Sequence, residues 1–285
     1  MKFPNLKIIV HRRNPMILGS REVGLIMGDN GNKVTMAAKL LSDAWSNYTV
    51  IDKMPKYLYP NDLAEAAIIQ TEMAKLINER VVGWKVGGSP GPMVGRIFES
   101  HCFFGNTELP TRLEVHRPAL ECEIAFRLEK SFPPSSSPYH RNEVIDGATL
   151  VFTVELVGTR FRDGKHIPDT EYERLIIVAD NSAGLGLIVG PAIQDWRNLD
   201  LLGIPIELIM DDGSPMPLNP AESRFDPVET LVWLINELST HGIGIKSGQV
   251  VTTGSATVLQ PILSGGNAEV KFGDFGKLQV SLKAY

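Results

Sequence analysis

The run Arg117-Pro118-Ala119-Leu120-Glu121-Cys122-Glu123-Ile124-Ala125-Phe126 sets two carboxylates two residues apart inside an apolar stretch. A third, Glu155, stands among similar neighbours in Phe152-Thr153-Val154-Glu155-Leu156-Val157. These are strand-type residues. Positions two apart share one face of a strand, whereas on a helix they point to nearly opposite sides. A strand therefore sends Glu121 and Glu123 into one space and turns Leu120, Cys122, Ile124 and Phe126 to the other face. An isolated Glu-x-Glu pair is ordinarily a solvated strand face, because Glu is mostly a surface residue. The apolar flanks of both segments count against that here, since buried carboxylates need partners. Like charges this close are unfavourable unless a proton or a cation sits between them. Three such oxygen ligands suit a hard divalent ion, Mg²⁺ or Mn²⁺.

The 285-residue chain is 43% apolar and 21% charged, an ordinary soluble composition. A net charge of −5, with Lys and Arg scattered, argues against nucleic acid as a partner. Cys102 and Cys122 cannot build a disulfide framework, which suits a reducing, cytoplasmic compartment. No apolar run approaches the roughly 20 residues of a membrane span. The apolar stretch Leu6–Val10 is too short for a signal peptide.

Residues 1–34 show no clear period and read as an appended arm, with Gly28-Asp29-Asn30-Gly31-Asn32 as a turn. Residues 35–80 read as a helical N-terminal part. One helix covers Met36–Trp45, and a second runs from Asp62, its N-cap paired with Glu65, to about Arg80. Residues 81–285 read as a β-rich body. Strand-like runs fall at Val81–Gly87, Leu120–Leu128, Thr149–Leu156, Leu175–Val178, Leu185–Val189, Ile204–Met210, Val250–Thr253, Glu269–Phe272 and Leu278–Leu282. One clear helix, Pro227–His241, interrupts them. Helices gathered at one end of a strand-rich chain indicate an α+β architecture, not an alternating βαβ one.

Beyond the glutamates, Lys85 in Gly83-Trp84-Lys85-Val86-Gly87 is either a snorkelling surface residue or a cation aimed at an anion. Asp180-Asn181-Ser182-Ala183-Gly184 is a turn into a strand, or a loop that lets backbone approach a ligand. Gly254-Ser255-Ala256-Thr257 is a tight turn with two hydroxyls that cap the backbone or hold a carboxylate. Arg160 and Arg162 follow the Glu155 strand, near the same site or in an exposed salt-bridge cluster. His116, His140 and His166 form no metal-ligand or triad pattern, and no phosphate-binding loop is present.

Taken in order, Val82–Gly87, Leu120–Phe126, Val154–Val157, Ala179–Gly184, Thr253–Thr257 and Phe275–Ser281 resemble the 2-keto-4-pentenoate hydratase / 2-oxo-acid decarboxylase branch of the fumarylacetoacetate hydrolase superfamily. The resemblance spans roughly Val34 to the C-terminus. It implies the superfamily's mixed β-roll with a helical N-terminal part, Mg²⁺ or Mn²⁺ on Glu121, Glu123 and Glu155, and Lys85 as the active-site lysine. It also implies a homo-oligomer acting on a small 2-oxo acid, first as a hydratase of a 2-hydroxy-2,4-dienoate in aromatic catabolism. A decarboxylase and a C–C hydrolase of acylpyruvate or β-diketone type are the alternatives on the same scaffold. Ser182, Gly254, Ser255 and Thr257 are the expected substrate contacts. Two departures stand out. The Asp that hydratases carry after the Gly-x-Lys-x-Gly strand has no counterpart in Pro92–Ser100, and the family's Asn-Ala-Ser-Ser run is Asn181-Ser182-Ala183-Gly184. The missing Asp favours a further reading from another class, a metal-free module that binds a small acid or a protein.

Overall fold

The computed structural model describes residues 31–87, 92–211, 213, 215–220 and 223–284. The arm expected at 1–34 falls outside the described residues as far as residue 30. Gly31 and Asn32, expected in a turn, instead open the first helix, α1 (Gly31–Ser46). Val34, Ala37, Ala38, Leu41 and Trp45 bury one face of it. That burial outweighs the weak helix propensity of a Gly-Asn start, where the first backbone N–H groups have no helical partner in any case. The second helix, α2 (Leu63–Ile77), is capped by Asp62, whose side chain accepts from Glu65 N. Glu65 reaches back one residue further than a capping box requires: its Oε2 accepts from Asn61 N at 2.7 Å and from Lys33 Nζ at 2.7 Å, tying α2 to α1.

A long mixed sheet follows. Its strands are β1 (Val81–Gly87), β2 (Met93–Phe98), β3 (Cys102–Phe104), β5 (Ala119–Leu128), β6 (Ala148–Val157), β7 (Gly184–Ile193) and β9 (Val250–Ser255), in the order β2-β1-β9-β5-β6-β7-β3. The short β10 (Gln260–Pro261) adds to β5. β1–β9 and β3–β7 are parallel, and the other pairings are antiparallel. A second sheet orders β4 (Thr107–Leu109), β12 (Lys277–Leu282), β11 (Asn267–Phe272) and β8 (Ile206–Met210). The helices α3 (Arg141–Asp146), α4 (Glu171–Ala179) and α5 (Pro227–Thr240) pack around these layers. The architecture is α+β, with the long sheet curled into a half-barrel.

Several stretches differ from expectation, among them the strands β3 and β4 and the helix α3, which were not foreseen. Leu175–Val178, expected as a strand, lies in α4. Thr170 accepts from Glu173 N at 3.1 Å while Glu173 Oε2 accepts from Thr170 N at 3.2 Å, a reciprocal cap that starts a helix. An apolar run of four residues fits either period, and the cap decides it. The segment Met93–Phe98, not foreseen as a strand, is buried throughout as β2.

Two apolar groups hold the sheet. Cys122, Ile124 and Phe126 belong to the main core, while Ile97, Ala125, Val151, Leu187, Val189 and Val250 form a smaller cluster on the opposite face. That second cluster floors the half-barrel directly beyond the three glutamates, because Ala125 shares a face with Glu123 and Val151 with Glu155. No helix among the described residues is long and apolar enough to cross a membrane.

Candidate functional site

The register of the sheet assembles the site. β5 and β6 pair antiparallel with Glu121 directly opposite Glu155 and Glu123 opposite Thr153. Like charges directly across a ladder are destabilising. One oxygen from each of Glu121, Glu123 and Glu155 lies within 4.8 Å of the others. Glu123 and Glu155 are 1% exposed, and Glu121 is half-buried. Burial pushes the Glu121 carboxyl up to about 7, helped by the Glu155 charge and opposed by Lys85. Burial, then the charges of Glu155 and Glu121, push Glu123 well above the usual range.

Lys85 comes in from β1. Its Nζ lies 2.5 Å from Glu155 Oε1 and donates to Ser182 O at 3.0 Å. Burial works to lower its pKa, but Glu155, Glu121 and Glu123 together outweigh burial and hold it above the ordinary lysine value. The snorkelling alternative is thereby excluded: the side chain is inside, and its head faces three carboxylates.

Glycines make room for that lysine. Gly95 on β2 pairs with Lys85 across the ladder. A Cβ at Gly95 would stand 2.9 Å from Lys85 Cγ and 2.5 Å from Asn181 O, and one at Gly184 would stand 3.0 Å from Lys85 Cδ. The turn under the lysine head is strained, with Asn181, Ser182 and Ala183 at φ of 54°, 53° and 57°. Asn181 holds it to β2: its Oδ1 accepts from Arg96 N at 2.8 Å and its Nδ2 donates to Arg96 O at 2.9 Å. Asp180 anchors the other end. Its carboxylate is ion-paired with Arg160 Nε and accepts from Thr159 Oγ1 at 2.9 Å, all buried. Arg160 also lies over the Trp45 ring, 5.2 Å from its centroid. Arg160 thus supports the turn, whereas Arg162 is exposed and pairs with Asp52 at 2.6 Å.

The site opens into a cavity of about 300 Å³ lined by Lys85, Glu121, Ser182, Gly254 and Ser255. His166, Asn219, Arg224, Phe225, Met93 and Leu259 complete its wall. A larger groove of about 860 Å³ lies by Trp84 and Arg96, away from the carboxylate cluster. The expected substrate contacts are differently employed. Gly254 N donates to Glu123 Oε2 at 2.8 Å and so orients a carboxylate. Ser182 Oγ donates to Val94 O at 2.8 Å, and Ser255 Oγ to Thr257 O at 2.8 Å. Thr257 is buried, its Oγ1 accepts from Cys122 N at 3.0 Å, and it does not line the cavity. His166 and Arg224 arrive on loops remote in sequence, and no local spacing marks them. The His166 imidazole is pushed down to about 4 by burial and by the nearby Arg117, Arg160 and Lys85 charges.

The donor set fits a divalent cation. Neither oxygen of the buried Glu155 makes a hydrogen bond of ordinary geometry. Three clustered carboxylates face the single ammonium of Lys85, so a second positive group completes the charge.

No protein-family model matches the chain. It is 24% identical over 271 residues to the 2-keto-4-pentenoate hydratase of Burkholderia vietnamiensis, covering 90% of this chain and 99% of that one. It is 28% identical over 202 residues to the 2-hydroxyhexa-2,4-dienoate hydratase of Comamonas testosteroni, covering 66% and 72%. Among solved structures, the 4-oxalocrotonate decarboxylase of Pseudomonas putida G7, complexed with magnesium and adipate, superposes with a TM-score of 0.72 at 20% identity, over 88% of this chain and 97% of that one. That likeness is one of fold. In sequence the chain is similar over most of its length to 2-keto-4-pentenoate hydratases, and it is an enzyme of the hydratase or decarboxylase type.

Proposed function

We propose that the protein is a divalent-metal-dependent hydratase of a 2-hydroxy-2,4-dienoate, the enol form of a small 2-oxo acid, in the breakdown of aromatic compounds. The observation that carries this reading is the Glu121, Glu123, Glu155 cluster facing Lys85, with Lys85 and Glu121 lining a cavity of about 300 Å³. Glu121, Glu123 and Glu155 would hold Mg²⁺ or Mn²⁺, a Lewis acid that favours the enolate of a 2-oxo acid. The names of the curated relatives support the substrate class.

The chain's own residues set the rest. Lys85, held as an ammonium, pairs with the substrate carboxylate or delivers a proton at the enol carbon. The Gly254 N–H keeps Glu123 turned inward. Gly95 and Gly184 hold the lysine stem in a narrow slot, so its head has one approach to the cavity. The small apolar cluster below the glutamates excludes water from their far side. The acid or base of the water addition comes from the cavity wall, because the Pro92–Ser100 segment brings no Asp to the site.

A decarboxylase is the second reading, favoured by the fold likeness to a 4-oxalocrotonate decarboxylase over nearly the whole of that chain. Incubation with 2-hydroxypenta-2,4-dienoate and with 2-oxo-3-hexenedioate, with and without Mg²⁺ or Mn²⁺, separates the two. Hydration in a metal-dependent reaction supports the hydratase, and CO₂ release supports the decarboxylase. Inertness on both points to C–C hydrolysis of an acylpyruvate. Protein that binds neither metal and is unaltered by Glu123→Gln overturns the enzyme reading in favour of a small-acid-binding module. We also read the protein as a cytoplasmic homo-oligomer, which light scattering on purified protein checks as to assembly.

A further inference from the structure

We propose that the groove beside Trp84 and Arg96 is a second ligand site, one that takes an organic carboxylate with an apolar body. The site is independent of the reading of the glutamate cavity, and among the described residues none lines both. Arg96 is the centre of it. The residue is 6% exposed, and its terminal nitrogens donate to neutral acceptors, Nη1 to Gln70 Oε1 at 2.6 Å and Nη2 to Thr71 Oγ1 at 3.1 Å. Burial lowers its pKa to about 10, and no carboxylate holds it up. Arg160, also buried, has the Asp180 carboxylate as its counter-ion. Arg96 has none among the described residues, and a buried charge without a counter-charge is costly. The carboxylates in the groove lining are engaged elsewhere: Glu99 pairs with Arg80, and Glu79 Oε2 accepts from Ser100 N at 3.2 Å.

Trp84 supplies the second donor. It pairs with Arg96 across the β1–β2 ladder, on the opposite face from Lys85 and Gly95, and Arg96 Cζ lies 5.2 Å from its ring centroid. Its indole Nε1 is buried with no hydrogen-bond partner among the described residues. Both residues line the groove, whose volume of about 860 Å³ suits a small organic molecule. A guanidinium without a counter-ion, beside an indole N–H without an acceptor, is a donor set for a planar carboxylate. Val82, Phe104 and Ile243 add apolar surface in the same lining, and Phe104 is 72% exposed. The exposed Lys246 adds a further positive charge there.

The test uses three probes, benzoate, its neutral isostere benzamide and inorganic phosphate, titrated calorimetrically into intact protein in chelator and again with Mg²⁺. Benzoate is expected to bind at least about 10-fold more tightly than benzamide, with or without Mg²⁺, because its hydrogen bonds are charge-assisted. It is also expected to bind more tightly than phosphate, which has no apolar body. Arg96→Met is expected to bring the benzoate-to-benzamide affinity ratio near unity. Trp84→Phe keeps an aromatic face and removes the N–H, so it stands in if Arg96→Met does not fold, and should weaken benzoate by about 5-fold. Equal binding of benzoate and benzamide to the wild type, or no binding of benzoate, overturns the proposal. Phosphate that binds as tightly as benzoate overturns the carboxylate class. Benzoate binding that requires Mg²⁺ and is unchanged in Trp84→Phe puts the probe at the glutamates and overturns the second site.

Discussion

Lys85 Nζ lies 2.5 Å from Glu155 Oε1, with both side chains nearly withdrawn from water. This pair is the hinge of the site's electrostatics. It neutralises one carboxylate of three and leaves Glu121 and Glu123 to compete for protons. A metal-free site of this kind is a strained arrangement, and each expectation below follows from that imbalance.

Replacing Glu123 by Gln removes a charge from the cluster and leaves an oxygen for the Gly254 N–H. Metal-free Glu123→Gln protein is expected to melt no lower than the wild type. Its metal-induced stabilisation should be lost and its turnover should fall by at least about 100-fold, the scale for removing one group that stabilises developing charge. Thermal melts with and without Mg²⁺, beside steady-state rates, read both halves. An undiminished metal-induced rise in Tm would sink the ligand assignment.

The raised Glu121 carboxyl has a defined pH consequence. A group whose folded pKa lies above its unfolded value stabilises the protein fully below the unfolded pKa, and that stability is lost as pH rises through the folded value. For Glu121 the interval runs from the ordinary 4.5 to about 7. Cation binding needs the deprotonated carboxylates, so stabilisation by Mg²⁺ should grow between about pH 5.5 and about pH 8. Melting curves in chelator and in Mg²⁺ across that range measure the difference. A difference that shrinks with rising pH would contradict the assignment.

Lys85→Met leaves Glu155 buried without its ammonium. Breaking a buried pair from one side costs about 3–5 kcal/mol. Denaturant melts in chelator should show a loss of that order, and turnover should vanish. Lys85→Arg keeps the charge but needs room for a planar fork between Gly95 and Gly184, so activity is expected to stay lost. Recovery of wild-type rates in Lys85→Arg would show that charge alone suffices.

Gly95→Ala tests the slot itself. Its methyl would meet Asn181 O at 2.5 Å and Lys85 Cγ at 2.9 Å. Either the 181–183 turn or the lysine must move, and kcat should drop more than metal affinity. Equal losses in both would mean that the glutamates have moved too.

Asp180→Asn removes the counter-charge of Arg160, which is 0% exposed. A cost of about 3–5 kcal/mol is expected from the stranded guanidinium. The variant that removes both charges, Arg160→Met with Asp180→Asn, should recover part of it. A double-mutant cycle by chemical denaturation gives the coupling, and additive losses would refute a direct pair.

The glutamates could be found in the sequence because a period of two is a local property: Glu121 and Glu123 share a face whatever the sheet does. The α+β class followed from the same local periods, as did the helices at Leu63–Ile77 and Pro227–Thr240. Periodicity failed at Leu175–Val178, where the apolar run is too short to carry a period and the Thr170–Glu173 cap sets the outcome. It failed also at Met93–Phe98, whose side chains are buried on both faces and so show no alternation.

What the chain alone determined is thus the set of carboxylates and the strands that carry them. Tertiary structure decided the pairing of Glu121 against Glu155, the descent of Lys85 between two glycines, and the arrival of His166 and Arg224 at one cavity. The physical reason is range. Face and propensity are set by neighbours along the chain, while register, curl and loop placement depend on burial summed over segments far apart in sequence. A site whose charges balance only across strands exists at that second level.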